Sequence, residues 1–404
     1  DHLDDARTRR ALRDAIQHLR RHEGTLILVE PDHELPAVIQ PEVTRVELEP
    51  PDDEELHRLV RNTLKREHQR RPIDVDITKS QLDVMVRNLA GLTRTQAEQM
   101  IIDAICEDRL LDAKDINAML AEKRRRMEGD GVLEYVEAPV DLSEIGGLKS
   151  LKDWLRMRRN AVSRKAEAFG LSAPRGVLML GVQGAGKSLC AKAIATAWRR
   201  PLLRLDPGAL YDRYIGESER RLREALRQAE RMAPIILWID EIEKGFASAA
   251  ANSNDGGLSQ RMFGNLLTWM QEHRAPVFLV ATANRIEALP PELLRKGRFD
   301  EIFFVDLPTP EVRREILAIH LRKRNRDPER FDLDALVEAS DGFSGAELEQ
   351  AVLSGLHAAF AEDRELKMED VRDALLESPP LSVTMAERVE RLREWARTRC
   401  VPAD

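Results

Sequence analysis

The apolar run Val177-Leu178-Met179-Leu180 passes without a break into Gly181-Val182-Gln183-Gly184-Ala185-Gly186-Lys187-Ser188, and an alanine-rich helical stretch, Leu189 to Trp198, follows. A short run that is apolar at every position suits a strand covered on both faces, as in a parallel sheet flanked by helices. G-x-x-x-x-G-K-S between such a strand and a helix is a cradle for a polyphosphate. Its glycines let the backbone wrap an anion, so that N–H groups and the positive end of the helix face the negative charge. Gly184, Ala185, Gly186, Lys187, Ser188 and Leu189 are therefore expected to line a nucleotide. Lys187 is expected to reach the β- and γ-phosphates, and the Ser188 hydroxyl to hold Mg²⁺.

A second apolar run, Ile235 to Ile239, ends in Asp240-Glu241. Asp240 is the expected partner of Ser188 around the metal, and Glu241 the expected base for an attacking water. Pro201 to Leu205, Val277 to Ala281 and Ile302 to Val305 are three further apolar runs, and the stretches between them read as helices. Leu222, Leu226, Ala229 and Met232, for example, fall on one face of a charged helix. Alternating strand and helix predicts an α/β layer, a five-stranded parallel sheet with helices on both faces and its ligand at the carboxyl ends of the strands. Asn284, in Thr282-Ala283-Asn284, stands at such an end, within reach of a γ-phosphate or the attacking water.

Composition removes several alternatives. With 63 Lys and Arg against 71 Asp and Glu, the net charge of −8 argues against a dedicated nucleic-acid binder. Cys106, Cys190 and Cys400 lie far apart, with no C-x-x-C pair, which suits neither a disulfide framework nor a zinc site and points to a reducing cytoplasm. No apolar stretch approaches the roughly 20 residues of a membrane span, and no secretory leader is visible. The chain opens on Asp1 rather than Met, as a chain lacking its own start would. His22-Glu23 and His33-Glu34 lack the second histidine of H-E-x-x-H, which argues against a metalloprotease.

The cradle, Asp240-Glu241, Asn284 and the segment Glu292-Leu293-Leu294-Arg295-Lys296-Gly297-Arg298-Phe299-Asp300 together resemble the AAA ATPases, the family of proteasomal ATPases, severing enzymes and membrane AAA proteases. The resemblance covers about residues 139 to 377. It implies an Mg²⁺-dependent ATP hydrolase working as a homo-oligomer, a hexamer, with ATP sites at subunit interfaces. Arg295 and Arg298 then correspond to arginine fingers reaching the neighbouring subunit's ATP. Glu144, Ile145 and Gly146 resemble the linker that wraps the adenine, and His320 a histidine near the base. Gly345-Ala346 resembles the start of a lid helix approaching the nucleotide. Tyr214-Ile215-Gly216 falls at the position of the first pore loop, where an aromatic and an aliphatic side chain grip a polypeptide through apolar area; alternatively Tyr214 packs under its own helix. Residues 247–257, small and polar, fall at the second pore loop.

Internal similarity organises the rest. Gly24 to Glu30, Val46 to Glu54, Leu82 to Thr93 and Arg109 to Ile116 echo Pro276 to Val280, Phe303 to Glu311, Leu333 to Ser344 and Glu365 to Val371, in the same order. This predicts a degenerate AAA-like module over 1–130, its helical lid part at about 72–126, without a cradle, with His33 where Asn284 stands in the second copy and with no arginine finger. A charged helix, Asp115 to Met127, leads out of it. A linker over 131–147, an α/β ATPase subdomain over 148–308, a helical lid over 309–377 and a helical extension over 378–404 complete the expected organisation. Val389, Leu392 and Trp395 give that extension an apolar stripe for its own lid or for the next subunit. The combination resembles an AAA family encoded in algal plastid and cyanobacterial genomes. A ring that remodels or unfolds polypeptides is the expected function, with an ATP-switched assembly scaffold that threads nothing as the alternative.

Overall fold

Two units make up the chain in the computed structural model, Asp1–Glu49 and Pro50–Asp404. The structure describes residues 6–22, 24–27, 43–44, 51–89, 92–106, 108–112, 114–115, 118–119, 132–136, 141–159, 161, 166, 168–198, 200–210, 217–244, 258–295 and 297–404. Residues 28–30 and 46–50 of the first copy's expected repeat lie outside these residues, as do His33, most of the charged helix and both expected pore loops. In the first unit, helix α1 (Ala6–Arg21) half-buries Leu12, Ile16 and Leu19 along one face, and 24–27 has no regular structure.

The second unit opens with helices. α2 (Asp53–Arg70) starts where the Asp52 carboxylate accepts from Glu55 N at 2.8 Å, a side-chain cap for an otherwise orphaned amide. It is followed by β1 (Asp74–Val75), α3 (Lys79–Leu89), α4 (Arg94–Cys106) and β2 (Leu110–Leu111), the two short strands pairing in parallel. Leu56, Val60, Met85, Leu89, Ile101 and Ile105 close a core of their own among these helices.

A seven-stranded sheet dominates the remainder. Its strands are β3 (Leu133–Val136), β4 (Gly176–Gly181), β5 (Leu202–Leu205), β6 (Ile235–Ile239), β7 (Val277–Ala283), β8 (Glu301–Val305) and β9 (Val401–Pro402), in the order β3-β5-β6-β7-β4-β8-β9. The connecting helices include α5 (Lys149–Arg158), α6 (Lys187–Trp198), α7 (Glu217–Arg231) and α8 (Leu258–Glu272). β5-β6-β7-β4-β8 are the five parallel strands expected, and the central three, β6, β7 and β4, are buried at every position as their unbroken apolar runs require. One apolar cluster fills one face, with Leu178, Leu237 and Leu266, and another fills the opposite face, with Val177, Ile194 and Phe278.

The sheet exceeds the expected five strands at both edges. β3, which falls in the stretch expected to be linker, runs antiparallel to β5 with Leu133 opposite Leu205 and Glu134 ion-paired to Arg204 at 3.6 Å. β9, in the expected helical extension, runs parallel to β8, its Pro402 tolerated because an edge strand can lack a donor.

Helices α9 (Pro310–Lys323), α10 (Leu333–Ala339), α11 (Gly345–Ala361) and α12 (Met368–Glu377) form the lid around Leu317, Leu336, Leu348 and Val371. Ser344 and Glu347 cap α11 reciprocally, Ser344 N donating to Glu347 Oε2 at 2.7 Å and Glu347 N to Ser344 Oγ at 3.4 Å. The chain ends with α13 (Leu381–Thr384), α14 (Ala386–Ala396) and β9. The apolar stripe of this extension has its partner in its own subunit: Val389 and Leu392 are buried in the sheet core beside Val182. Helix alone is therefore too simple a description of 378–404.

Candidate active site

β4 ends at Gly181 and α6 begins at Lys187, so five residues turn the chain between a buried strand and a buried helix. Gly184 (φ +77°) and Gly186 (φ +92°) take the left-handed backbone this requires, a conformation costly for residues with a Cβ. The lid meets the loop here. Ala346 N donates to Gly184 O at 3.0 Å, and a Cβ on Gly184 would stand 2.9 Å from Ser344 Oγ. Gly184, Gly345 and Ala346, paired only by motif in the sequence, are thus adjacent in space.

Lys187 is buried and donates to the carbonyls of Gly181 at 3.0 Å and Val182 at 2.7 Å. Burial draws its pKa from 10.5 down to about 8, against the pull of Glu243 and Asp240. One residue on, Ser188 Oγ donates to Asp240 Oδ1 at 3.0 Å, joining the start of α6 to the end of β6. Thr282, buried in β7, accepts from Glu241 N at 2.9 Å and donates to the same Asp240 oxygen at 2.5 Å. Glu241 has φ +48°, an uncommon conformation for a residue with a side chain and one that concentrates at functional sites. Its Oε1 accepts from Asn284 Nδ2 at 2.8 Å, and its Oε2 pairs with Lys244. Asn284 N donates to Glu243 Oε1 at 2.8 Å. Burial pushes the Glu243 carboxyl above its usual range, and its Oε2 has no partner among the described residues.

Ser188, Asp240, Glu241 and Asn284 therefore form one hydrogen-bonded group at the carboxyl ends of β6 and β7, with Lys187 beside it on the carbonyls that end β4. Thr282 and Glu243 belong to it and were not singled out from the sequence. A hydroxyl inside the apolar run Val277–Ala283 and a third acidic residue in Asp240-Glu241-Ile242-Glu243 were the available signals. Among the described residues no group of three or more His, Cys, Asp or Glu side chains could by itself hold a metal.

The linker expected at the base closes against α9. Gly147 N donates to Glu315 Oε2 at 2.9 Å, and Lys323 pairs with Glu144 at 3.0 Å. A Cβ on Gly146 would come within 2.7 Å of Ile316 Cγ1. His320 lies one turn beyond Ile316 on α9, mostly buried. Burial lowers its pKa against the pull of Glu349, whose Oε1 lies 3.5 Å from Nδ1. Ile145 is buried in the cluster that also holds Leu151 and Val177. Arg295 is exposed, whereas Arg298 is buried, donating to Glu292 O. Burial, then the neighbouring Arg295, lowers the Arg298 pKa. Among the described residues neither arginine is ion-paired with a carboxylate. Tyr214 and Ile215 lie outside the described residues.

Residues 177–307 match the ATPase family associated with various cellular activities (AAA), and residues 37–130 match the second domain of SpoVK-like AAA ATPases. The AAA domain-containing protein ycf46 of Guillardia theta is 37% identical over 395 residues, 98% of this chain and 77% of that protein. Its counterpart from Pyropia yezoensis is 37% identical over 388 residues, 96% of this chain and 77% of that protein. The proteasome-activating nucleotidase of Saccharolobus islandicus is 34% identical over 276 residues, 65% of this chain and 69% of that protein. A buried lysine in a glycine cradle, two carboxylates hydrogen-bonded across β6 and β7, and similarity along nearly the whole length place this chain in the family of the AAA ATPases, and it hydrolyses ATP.

Proposed function

We propose that the chain is one subunit of a hexameric ring that uses ATP hydrolysis to remodel or unfold polypeptides, and that its sites are completed by Arg295 and Arg298 of the adjacent copy. The observation that carries this reading is the arginine pair. Arg298 is buried with its guanidinium on the Glu292 carbonyl, Arg295 three residues before it is exposed, and no carboxylate is ion-paired with either among the described residues. Such a pair is poised for an anion, and a γ-phosphoryl group is the anion at hand in an ATPase. Cationic stabilisation of that kind is worth about 10³- to 10⁵-fold in rate in related nucleotide hydrolases.

Within the subunit, Lys187 holds the β- and γ-phosphates, Glu241 polarises the attacking water and Asn284 orients both. Ser188 Oγ and Asp240 Oδ1, 3.0 Å apart, are the hard oxygen donors that suit Mg²⁺, which takes few protein ligands and completes its shell with phosphate and water. A bound Mg²⁺ neutralises phosphate charge. Gly146 and Ile145 wrap the base beside His320. Tyr214 and Ile215 grip the polypeptide in the pore. The name of the Saccharolobus relative, a proteasome activator, supports a protein substrate. We assign 1–130 to a degenerate module, 131–147 to the linker, 148–308 to the ATPase subdomain, 309–377 to the lid and 378–404 to an extension. No helix of the described residues is long and apolar enough to cross a membrane, and the free cysteines suit the reducing cytoplasm.

ATP turnover measured beside solution size tests the reading. Glu241→Gln is expected to bind ATP and form rings without turning over, and Arg298→Ala to bind ATP with turnover reduced at least a hundredfold. Mixing the two restores turnover, because about a quarter of randomly mixed interfaces combine an intact base with an intact finger. Full turnover by Arg298→Ala, or by a monomer, overturns the shared site. Polypeptide processing that survives Tyr214→Ala overturns threading.

A further inference from the structure

The C-terminal segment makes contacts at four places around the candidate site. At its start Leu381 N donates to Glu347 Oε1 at 2.9 Å, and Glu347 is the residue that caps the lid helix leaning on Gly184. Near its middle Arg388 Nη2 donates to Asn284 O at 3.2 Å. Farther along, Arg393 Nε reaches both oxygens of Asp306, just beyond β8, at 3.0 and 2.9 Å. At its end Leu151 N donates to Ala403 O at 3.1 Å and Lys149 N to Asp404 Oδ1 at 3.3 Å, next to the linker.

The middle contact bears on hydrolysis. Arg388 is half-buried in a cleft that Val182, Gln183, Asn284, Met385 and Leu392 also line, so it stands between the phosphate cradle and the residue facing the base. Among the described residues no carboxylate pairs with it; the nearby Glu387 pairs with Arg391 and Glu390 with Arg393. Its hydrogen bond ends on a main-chain carbonyl. That carbonyl belongs to a residue whose amide is held by Glu243 and whose side chain holds Glu241. Asn284 is thus fixed by both backbone groups, and one of the two clamps comes from α14.

We propose that Arg388 is a positioning residue for ATP hydrolysis, acting through Asn284, so that the aim of Asn284 at Glu241 depends on α14 being seated. This rests on the reading of Asn284 as the residue that orients Glu241 and its water. A hydrogen bond from a charged donor is worth enough to change a rate about tenfold when the geometry it secures is needed only in the transition state. The helix is anchored independently by Val389 and Leu392, so loss of the guanidinium leaves it in place.

Steady-state turnover and fluorescent-ATP binding decide the matter for Asn284→Ala, Arg388→Ala, Arg388→Lys and the double variant Asn284→Ala/Arg388→Ala, with the exposed Arg391→Ala as control. The expected result for Arg388→Ala is a kcat reduced about tenfold with nucleotide affinity within about twofold. Lys, which keeps a charged donor, recovers part of that loss, the double variant is no slower than Asn284→Ala alone, and Arg391→Ala resembles the parent. If Asn284→Ala leaves kcat unchanged, the reading of the site itself has failed and this inference falls with it. If Asn284→Ala is slow but Arg388→Ala is not, or the two losses multiply, only the role of Arg388 is overturned. Should Arg388→Ala lower the melting temperature and affinity together, Arg388→Lys decides: turnover above that of the Ala variant at equal affinity upholds the role, and parity overturns it.

Discussion

Replacing Thr282 by valine isolates the hydroxyl that joins the Asp240 carboxylate to the Glu241 main-chain amide. The side chain is 1% exposed and its two hydrogen bonds run in opposite senses, accepting from Glu241 N at 2.9 Å and donating to Asp240 Oδ1 at 2.5 Å. Valine keeps nearly the same outline, so the sheet core is not opened, yet Asp240 loses a donor and the Glu241 amide loses its acceptor. A hydrogen bond to a charged group is worth about 1.5–3 kcal/mol. At about 1.4 kcal/mol per factor of ten, the lost donor alone slows a transition state that needs Asp240 and Glu241 in register by roughly 10- to 100-fold. Glu241 holds an uncommon φ of +48°, so its amide contact also secures a conformation that the residue would otherwise leave. The assay is steady-state phosphate release titrated with both ATP and Mg²⁺. Thr282→Val is expected to lower kcat by that factor and to raise the Mg²⁺ requirement, with Thr282→Ser staying within about fivefold of the parent. A valine variant with parental kcat and parental Mg²⁺ dependence refutes the argument that this hydroxyl organises the pair.

Lys187→Met is expected to abolish ATP turnover while stabilising the nucleotide-free protein. The folded pKa of about 8 lies below the unfolded 10.5, so the unfolded chain binds the extra proton between them and stability rises with pH across that window. Each tenfold in proton affinity is about 1.4 kcal/mol, which puts the burden below pH 8 at roughly 3 kcal/mol, offset in part by the two carbonyl contacts. Denaturant melts should show the Met variant about 1–3 kcal/mol more stable at pH 7, the gap closing towards pH 10.5; a variant less stable at pH 7 contradicts this. Gly146→Ala places a methyl 2.7 Å from Ile316 Cγ1 and pushes the linker off α9. An overpacking cost of about 1–3 kcal/mol predicts a nucleotide KM raised about tenfold with kcat little changed, reversed by adding Ile316→Ala; an unchanged KM excludes this contact from base binding.

How much of this was legible in the sequence depends on the range of the signal. β4 to β8 are runs apolar at almost every position, closed by glycine, asparagine or acidic residues, and such runs report burial directly. Lys187, Ser188, Asp240, Glu241 and Asn284 were legible because each sits at a fixed offset from the end of one of those strands. β3 was not, since Leu133-Glu134-Tyr135-Val136 is four residues long, mixed in polarity, and is a strand only because β5 offers an edge. Nor was β9, two residues including a proline whose pairing is visible only once β8 is exposed beside it. Thr282 reads as an ordinary β-branched strand residue, and only its neighbours' atoms reveal the hydroxyl's two partners. Arg388 lies on a charged helix far along the chain from Asn284, and no periodicity encodes which carbonyl its guanidinium meets.

The contacts around Glu241 also decide which of its oxygens is free to meet water. Oε1 is held by Asn284 Nδ2, a part-buried contact, and Asn284 is itself clamped at its amide by Glu243 and at its carbonyl by Arg388. Oε2 is held by Lys244, whose side chain is 71% exposed and three residues away on the same turn. A surface ion pair competes poorly with solvent and weakens with salt, whereas a hydrogen bond backed by two further clamps does not reorganise without moving β7. If Glu241 is the base, as proposed, the Lys244 contact is the one that yields, and water would meet Glu241 through Oε2 while Oε1 stays tied to Asn284. The same comparison applies to Lys187, which can turn to phosphate only by leaving the carbonyls of Gly181 and Val182, so on the proposed roles ATP binding would be an exchange of partners for the lysine and a release of one partner for Glu241.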